Sequence, residues 1–300
     1  MISLSSAVRL HRPPKSGTAA LASKAMLAEL DASPKPGLVD HFDTGSHSDM
    51  DYALFRRSAG AIAPYFHSME ARARGRPASP ELFAELREIG KGAEEAMFAE
   101  TSGINTHKGQ IFLFALLIAA AADTLQTQPY VRPRRDHLSA ALRRMTAGIV
   151  RRELTDELKR RPVRTNGEKL YVRYGSAGIR GEAEEGFPAI FYTGQPAYAA
   201  ALADGLSSND AAVDTLLQLI CVCDDSTLLH RVGHEGLRMM QRMSRMVLDA
   251  GGMRTPQGRT EVEKMNRRCI ELNMSPGGSA DLLAGTIFVH GLLCGEYKCD

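Results

Sequence analysis

His107-Lys108-Gly109-Gln110-Ile111-Phe112-Leu113-Phe114-Ala115-Leu116-Leu117-Ile118-Ala119-Ala120-Ala121-Ala122 is the stretch on which the fold turns. Its apolar run, Ile111 to Ala122, stops well short of the roughly 18 to 20 residues that a membrane span needs. It therefore reads as a helix buried on all sides in a protein core. A helix of that kind demands other helices around it, and the rest of the chain supplies them. Ala, Leu, Met, Glu and Arg recur at three- and four-residue spacing, while β-branched alternation is scarce. The expected fold is all-α, a single compact multi-helix domain over 17–296 behind a poorly ordered tail at 1–16.

Outward from this core the pattern predicts helices over Thr18–Leu30, Asp49–Arg74, Pro80–Glu100, His107–Leu125, His137–Arg152, Gln195–Asp204, Asn209–Cys223, Glu235–Ala250, Pro256–Leu272 and Ala280–Cys294. Ser79 before Pro80, Ser208 and Asn209 before Asp210, Asn105 or Thr106 before the apolar helix, and Ser279 before Ala280 are suited to capping helix starts. The polar stretch Lys159–Lys169 reads as a flexible insertion.

The chain is 300 residues long, 44% hydrophobic and 24% charged, enough to bury a sizeable core. Lys plus Arg is 37 against Asp plus Glu at 35, a net charge of +2, so no global field argues for nucleic acid or an anionic membrane as a partner. Any anion site must be local. Met1–Lys15 lacks an apolar stretch of the kind a secretion signal needs. Five cysteines without regular spacing do not make a disulfide framework and fit a reducing cytoplasm. Cys221 and Cys223, two apart on a helix, cannot both face one metal, and His230 with His234 is interrupted by Gly233.

Chemistry concentrates in glycine-rich polar connections. Ser33-Pro34-Lys35-Pro36-Gly37-Leu38-Val39-Asp40 is a rigid turn that offers a cation and a carboxylate, and a solvated charge cluster at a helix stop has the same pattern. Gly103-Ile104-Asn105-Thr106-His107-Lys108-Gly109 puts a lysine in the first turn of the apolar helix, where the helix dipole disfavours it unless an anion compensates. With an adjacent glycine and free amides, that start suits phosphate. Gly178-Ile179-Arg180-Gly181-Glu182 sets a guanidinium and a carboxylate around one glycine. Asp224-Asp225-Ser226-Thr227 ends an apolar helix, where two carboxylates oppose the dipole and a metal would relieve them. Ser275-Pro276-Gly277-Gly278-Ser279-Ala280-Asp281 exposes amides at a helix start and projects a carboxylate from it. The common phosphate-loop, dinucleotide, nucleophile-elbow and zinc-protease patterns are absent.

Taken in order, these blocks, together with Gly45-Ser46-His47-Ser48-Asp49-Met50 and the extension Leu282-Leu283, resemble the triphosphoribosyl-dephospho-coenzyme A synthase family, which serves citrate lyase and malonate decarboxylase. The resemblance runs from about Ala20 to Leu293. It departs where the family tends to read Gly-Asp-Thr-Asn and then Arg-Gly-Gly: here stand Asp224-Asp225-Ser226-Thr227 and Arg231-Val232-Gly233.

The resemblance implies an all-helical cytoplasmic transferase that joins ATP and 3'-dephospho-CoA, with Mg²⁺, into 2'-(5''-triphosphoribosyl)-3'-dephospho-CoA and releases adenine. It implies Lys35, His107, Lys108, Arg180, Gly277, Gly278 and Ser279 as nucleotide contacts, and Asp40, Glu182, Asp225 and Asp281 as catalytic or metal-binding carboxylates. A downstream carrier-protein transferase is the implied partner. Two other functions fit the same residues: an inactive nucleotide-binding scaffold for that transferase, which releases no adenine, and a metal-dependent helical phosphohydrolase, which releases phosphate.

Overall fold

A computed structural model describes residues 17–127 and 133–294; the expected tail at 1–16 lies outside the described residues. Twelve α-helices follow one another with no strand among the described residues: α1 Thr18–Asp31, α2 Tyr52–Ala73, α3 Pro80–Glu100, α4 Lys108–Thr127, α5 Arg135–Thr146, α6 Asn166–Tyr174, α7 Gly178–Glu184, α8 Gln195–Ala203, α9 Ser208–Val222, α10 Ser226–Asp249, α11 Pro256–Glu271 and α12 Gly277–Cys294. They make one compact all-α domain.

The apolar run is the central helix, as its composition requires. α4 is wrapped by α1, α2, α3, α5 and α12, and Leu113, Phe114 and Leu116 to Ala121 are at most 1% exposed. Phe114 sits edge-on between Phe66 of α2 and Phe288 of α12, with ring centroids 5.2 and 5.9 Å away. α12 is the second core helix. Both α4 and α12 are long and apolar enough to cross a membrane by length and composition, yet most of each is buried inside the protein.

Where expectation and structure differ, local capping chemistry explains it. The stretch expected to be a flexible insertion contains the start of α6, fixed by a reciprocal capping box in which the Thr165 hydroxyl accepts from the Glu168 amide and the Glu168 carboxylate accepts from Thr165. α5 ends at Thr146 because Gly148 takes φ +72°, and the chain resumes as a π-helical turn, Arg151–Asp156. α9 is capped by Ser207, one residue earlier than read. α10 begins at Ser226, nine residues before the expected start, with a kink at Gly233 (φ 65°, ψ −170°). Ser79 caps α3 and Asn105 caps α4 as expected.

Two of the quoted blocks prove to be a clasp on the loop that leads into α12. Gly37, at φ +74°, donates its amide to Asn266, whose own amide donates to Asp43. A side chain at Gly37 would overlap the Met274 carbonyl. The Ser46 hydroxyl reaches the Met274 carbonyl (2.6 Å), and Arg231 donates to the Ser46 carbonyl and to Asn273. Arg231 also donates to His47 Nδ1 (3.1 Å). Because a guanidinium only donates, Nδ1 is the acceptor and His47 Nε2–H donates to Ser275 Oγ (2.9 Å).

Burial, and then the adjacent Arg231 charge, hold the His47 pKa down to about 4. The unfolded chain therefore binds more protons than the native one between about pH 6.5 and 4, and this contribution to stability is lost as the pH falls through that window. Urea midpoints measured from pH 7 to 4 should fall more steeply for the wild type than for His47→Asn, and parallel curves would remove His47 from the clasp's pH dependence.

Candidate functional site

A cleft of about 1200 Å³ opens beside the N-terminus of α4. The first turns of α4, α6, α10 and α12, with the short α7, all contribute to its lining through Lys108, Asn166, Gly178, Ser226 and Gly278. Helix starts present the positive end of the helix dipole, so several of them around one cavity favour a polyanion there, although caps take the amides of Lys108, Glu168, Thr227, Leu228 and Ser279. Arg87, Lys108, Arg164 and Arg180 add formal positive charge to the lining.

One corner is fixed by Asp225. Sequence places it at the end of α9, against the dipole; in the structure α9 stops at Val222 and Asp225 is the N-cap of α10, where a carboxylate is favourable. Its Oδ1 accepts from the amides of Thr227 (2.9 Å) and Leu228 (3.1 Å). Its Oδ2 accepts from the Ser279 amide (2.7 Å) and hydroxyl (2.9 Å). The carboxylate thereby joins the starts of α10 and α12. Ser279 is not a cap as read, because α12 begins two residues earlier and its hydroxyl serves Asp225. Gly278 lines the cleft, where an added Cβ would lie 3.2 Å from that carboxylate, and Gly277 packs on Thr227.

Asp281 projects from the first turn of α12 onto α4, where it lies so close to Gly109 that any Cβ there would overlap its Oδ2. Burial pushes its pKa well above the usual carboxylate range, and the negative charges of Glu29 and Asp225 push it the same way. Among the described residues no cation pairs with it, and a hydrogen bond with Gln110 acts in the opposite sense. Glu182 of α7 also lines the cleft; its carboxylate accepts from the Ala189 amide (3.2 Å), and burial, then Glu185 and Asp224, raise its pKa.

Lys108 pairs with Glu94 of α3 at 2.7 Å, so the anion that its place in the first turn calls for is supplied by the protein itself. Its side chain is half-exposed over the cleft. Arg180 pairs through Nε with Glu153 (2.8 Å), not with its neighbour Glu182, and Glu153 is shared with Arg87 of α3. Arg87, Glu153 and the α6 start with Arg161 and Arg164 were not singled out from sequence. The Thr165-Asn166-Gly167-Glu168 capping box was the signal that would have found the last of these.

Five expected site residues lie outside the cleft lining: Gly277 and Ser279, which pack on Thr227 and Asp225, and Lys35, Asp40 and His107. Lys35 is 2% exposed, its ammonium bound to the Glu29 carbonyl (2.7 Å) and carboxylate (2.6 Å), and the other Glu29 oxygen accepts from Gln110 (3.1 Å). A lysine committed to a buried pair is not available to phosphate. Asp40 folds its own loop, accepting from the Ser33 hydroxyl and the amides of Lys35, Phe42 and Asp43. His107 is buried against α2, bonded through Nδ1 to Ser58 (2.9 Å) and held neutral, with a pKa near 3, chiefly by burial and then by the Lys35 charge.

These donors do not fit a protein-built metal centre. Asp225 spends its oxygens on four hydrogen bonds, Asp40 lies elsewhere, and among the described residues no three of His, Cys, Asp and Glu converge on one point. His234 instead stacks edge-on against Tyr174 at 4.5 Å.

No solved structure matches the chain. The CitG family, described as ATP:dephospho-CoA triphosphoribosyl transferase, matches residues 15–299, almost the whole chain. It agrees with an all-α domain that gathers helix starts and cations on one cleft, and does not favour a scaffold or a phosphohydrolase. The chain thus belongs to the CitG family of ATP:dephospho-CoA triphosphoribosyl transferases.

Proposed function

We propose that the cleft bounded by α4, α6, α7, α10 and α12 is where the triphosphoribosyl group passes from ATP to dephospho-CoA. The observation that carries this is the convergence of those helix starts, with Lys108 and Arg180, on one cavity. The donor's triphosphate is retained in the product, so the site must hold a polyanion without cleaving it. Helix dipoles and cations beside the cavity meet that need.

The reacting centre is C1' of the donor ribose: its bond to adenine breaks, and the bond to the acceptor's 2'-oxygen forms. Positive charge builds on the sugar and negative charge on the departing base. A carboxyl beside the sugar stabilises the first, and a protonated one neutralises the second. Asp281 is our choice for that carboxyl, since it lines the cleft with no cation to neutralise it. Asp225 serves as the strut that places it, and Glu182 is a further carboxyl within the lining. Mg²⁺ enters only as the counter-ion that a triphosphate carries, because the protein's own donors do not build a cage.

The product would serve the prosthetic group of a citrate lyase or malonate decarboxylase carrier subunit, delivered by a carrier-protein transferase. We place the protein in the cytoplasm, which suits the unbridged thiols of Cys221, Cys223 and Cys269. Chromatography of a mixture of the protein with ATP, dephospho-CoA and Mg²⁺ should show free adenine in step with the new nucleotide; ADP or phosphate as the main product would refute the reading.

Two variants test the site. Gly109→Ala improves helix propensity by about 1 kcal/mol yet drives a methyl into Asp281. It should cut adenine release about as deeply as Asp281→Asn, by roughly a hundredfold or more, while far-UV circular dichroism stays native. Full turnover in both variants would sink the assignment of Asp281.

Lys108→Ala loses the Glu94 pair, a half-exposed one worth at most about 1 kcal/mol, and relieves a cation at a helix start. Its unliganded melting temperature should stay close to the wild type. The upward shift given by saturating ATP should shrink, and an undiminished shift would take Lys108 out of the phosphate site.

A further inference from the structure

The helix starts occupy only part of the cleft. Beyond Lys108 the lining turns apolar: Phe112 and Ala115 follow on the same face of α4, about 6 and 10 Å along its axis. Phe83, Leu86 and Phe98 of α3 complete this wall. Phe83 and Phe112 meet edge-on, with centroids 5.7 Å apart, and the Arg87 guanidinium lies 5.7 Å from the Phe83 ring. Phe98 and Phe112 are only half-buried, although each has apolar company. The neighbouring charges are already matched, Arg87 with Glu153 and Lys91 with Glu88. The surface left for a ligand here is apolar.

We propose that this wall is the acceptor subsite, holding the uncharged pantetheine arm of dephospho-CoA while the helix starts hold phosphates. The inference rests on the two-substrate reading above and names the surface that tells the acceptor from the donor. Two observations favour the arm over a purine. A purine edge is read by free donors and acceptors, and the charged groups flanking this wall are paired among themselves. In dephospho-CoA the diphosphate is joined directly to the branched, apolar part of the arm; Lys108 followed one turn later by Phe112 repeats that order of charge and apolar surface. The cleft, at about 1200 Å³, also exceeds the roughly 300 to 1,000 Å³ usual for a single small ligand, as a site for two nucleotides should.

Steady-state kinetics of Phe112→Ala, with both substrates varied, decides the matter. The KM for dephospho-CoA should rise about tenfold or more, with the KM for ATP within about twofold of the wild type. A rise in the ATP KM as large as that for dephospho-CoA would make the wall an adenine site and overturn the proposal, as would no change in either. As a probe of the arm alone, 4'-phosphopantetheine should inhibit the wild type competitively against dephospho-CoA and lose that inhibition in the variant. Inhibition retained in full counts against the arm.

Phe98→Ala, on the other helix, repeats both measurements and serves if Phe112→Ala does not keep its native melt. If the wild type releases no adenine, the transfer reading itself has failed. Calorimetric titration of 4'-phosphopantetheine into wild type and variant then still tests the wall: binding weakened only in the variant upholds it, and equal or absent binding in both overturns it.

Discussion

A single carboxylate sets the geometry of the cleft. Asp225 takes two amides from the start of α10 and an amide and a hydroxyl from the start of α12, so two helices that are distant in sequence begin from one buried point. Burial alone would favour its neutral form, and its pKa is raised accordingly, while the bonds from Ser279 and Leu228 act in the opposite sense. Removing the carboxylate would leave buried amides at two helix ends without partners, each a cost of about 1 to 3 kcal/mol. Everything that lines that side of the cavity, including Gly278 and Asp281, is positioned through it.

The segments that carry the family resemblance divide their labour. Residues around Lys108, Arg180 and Asp281 reach the cleft. Those around Lys35, Asp40 and His47 stay behind it, where they pin the loop entering α12 and support α4 from beneath. The Lys35–Glu29 pair and Gln110 form a continuous buried polar path toward the far side of Asp281, whose pKa the Glu29 charge helps to raise. Buried charge of this kind stabilises little by itself, and breaking one partner away is costly. Its consequence here is electrostatic: carboxylates crowd the Asp225 and Asp281 corner of the cleft while cations gather on α3, α4 and α7.

The altered corner at Asp224 to Gly233 retains its two working parts. Asp225 is the strut between α10 and α12, and Arg231 locks the Ser46, His47 and Asn273 side of the clasp. Both lie on the first segment of α10, which ends at the Gly233 kink (φ 65°).

The sequence by itself determined the helical class, the central place of α4, most helix ends, and the membership of Lys108, Arg180, Glu182, Asp225, Gly278 and Asp281 in a charged, glycine-rich set. Periodicity, caps and composition are local properties, and they survive folding because each depends on a few neighbouring residues. Only the tertiary structure decided which charges remain available. Lys35 and Lys108 look alike as lysines in glycine-containing connections, yet one is bound to Glu29 in the core and the other stands half-exposed at the cleft. Glu29, Glu94 and Glu153, which settle the partners of Lys35, Lys108 and Arg180, lie six or more residues away along the chain, on other elements. No spacing rule links a side chain to a partner brought to it by packing, so the residues that line the cleft and those buried behind it could be separated only once the helices were assembled.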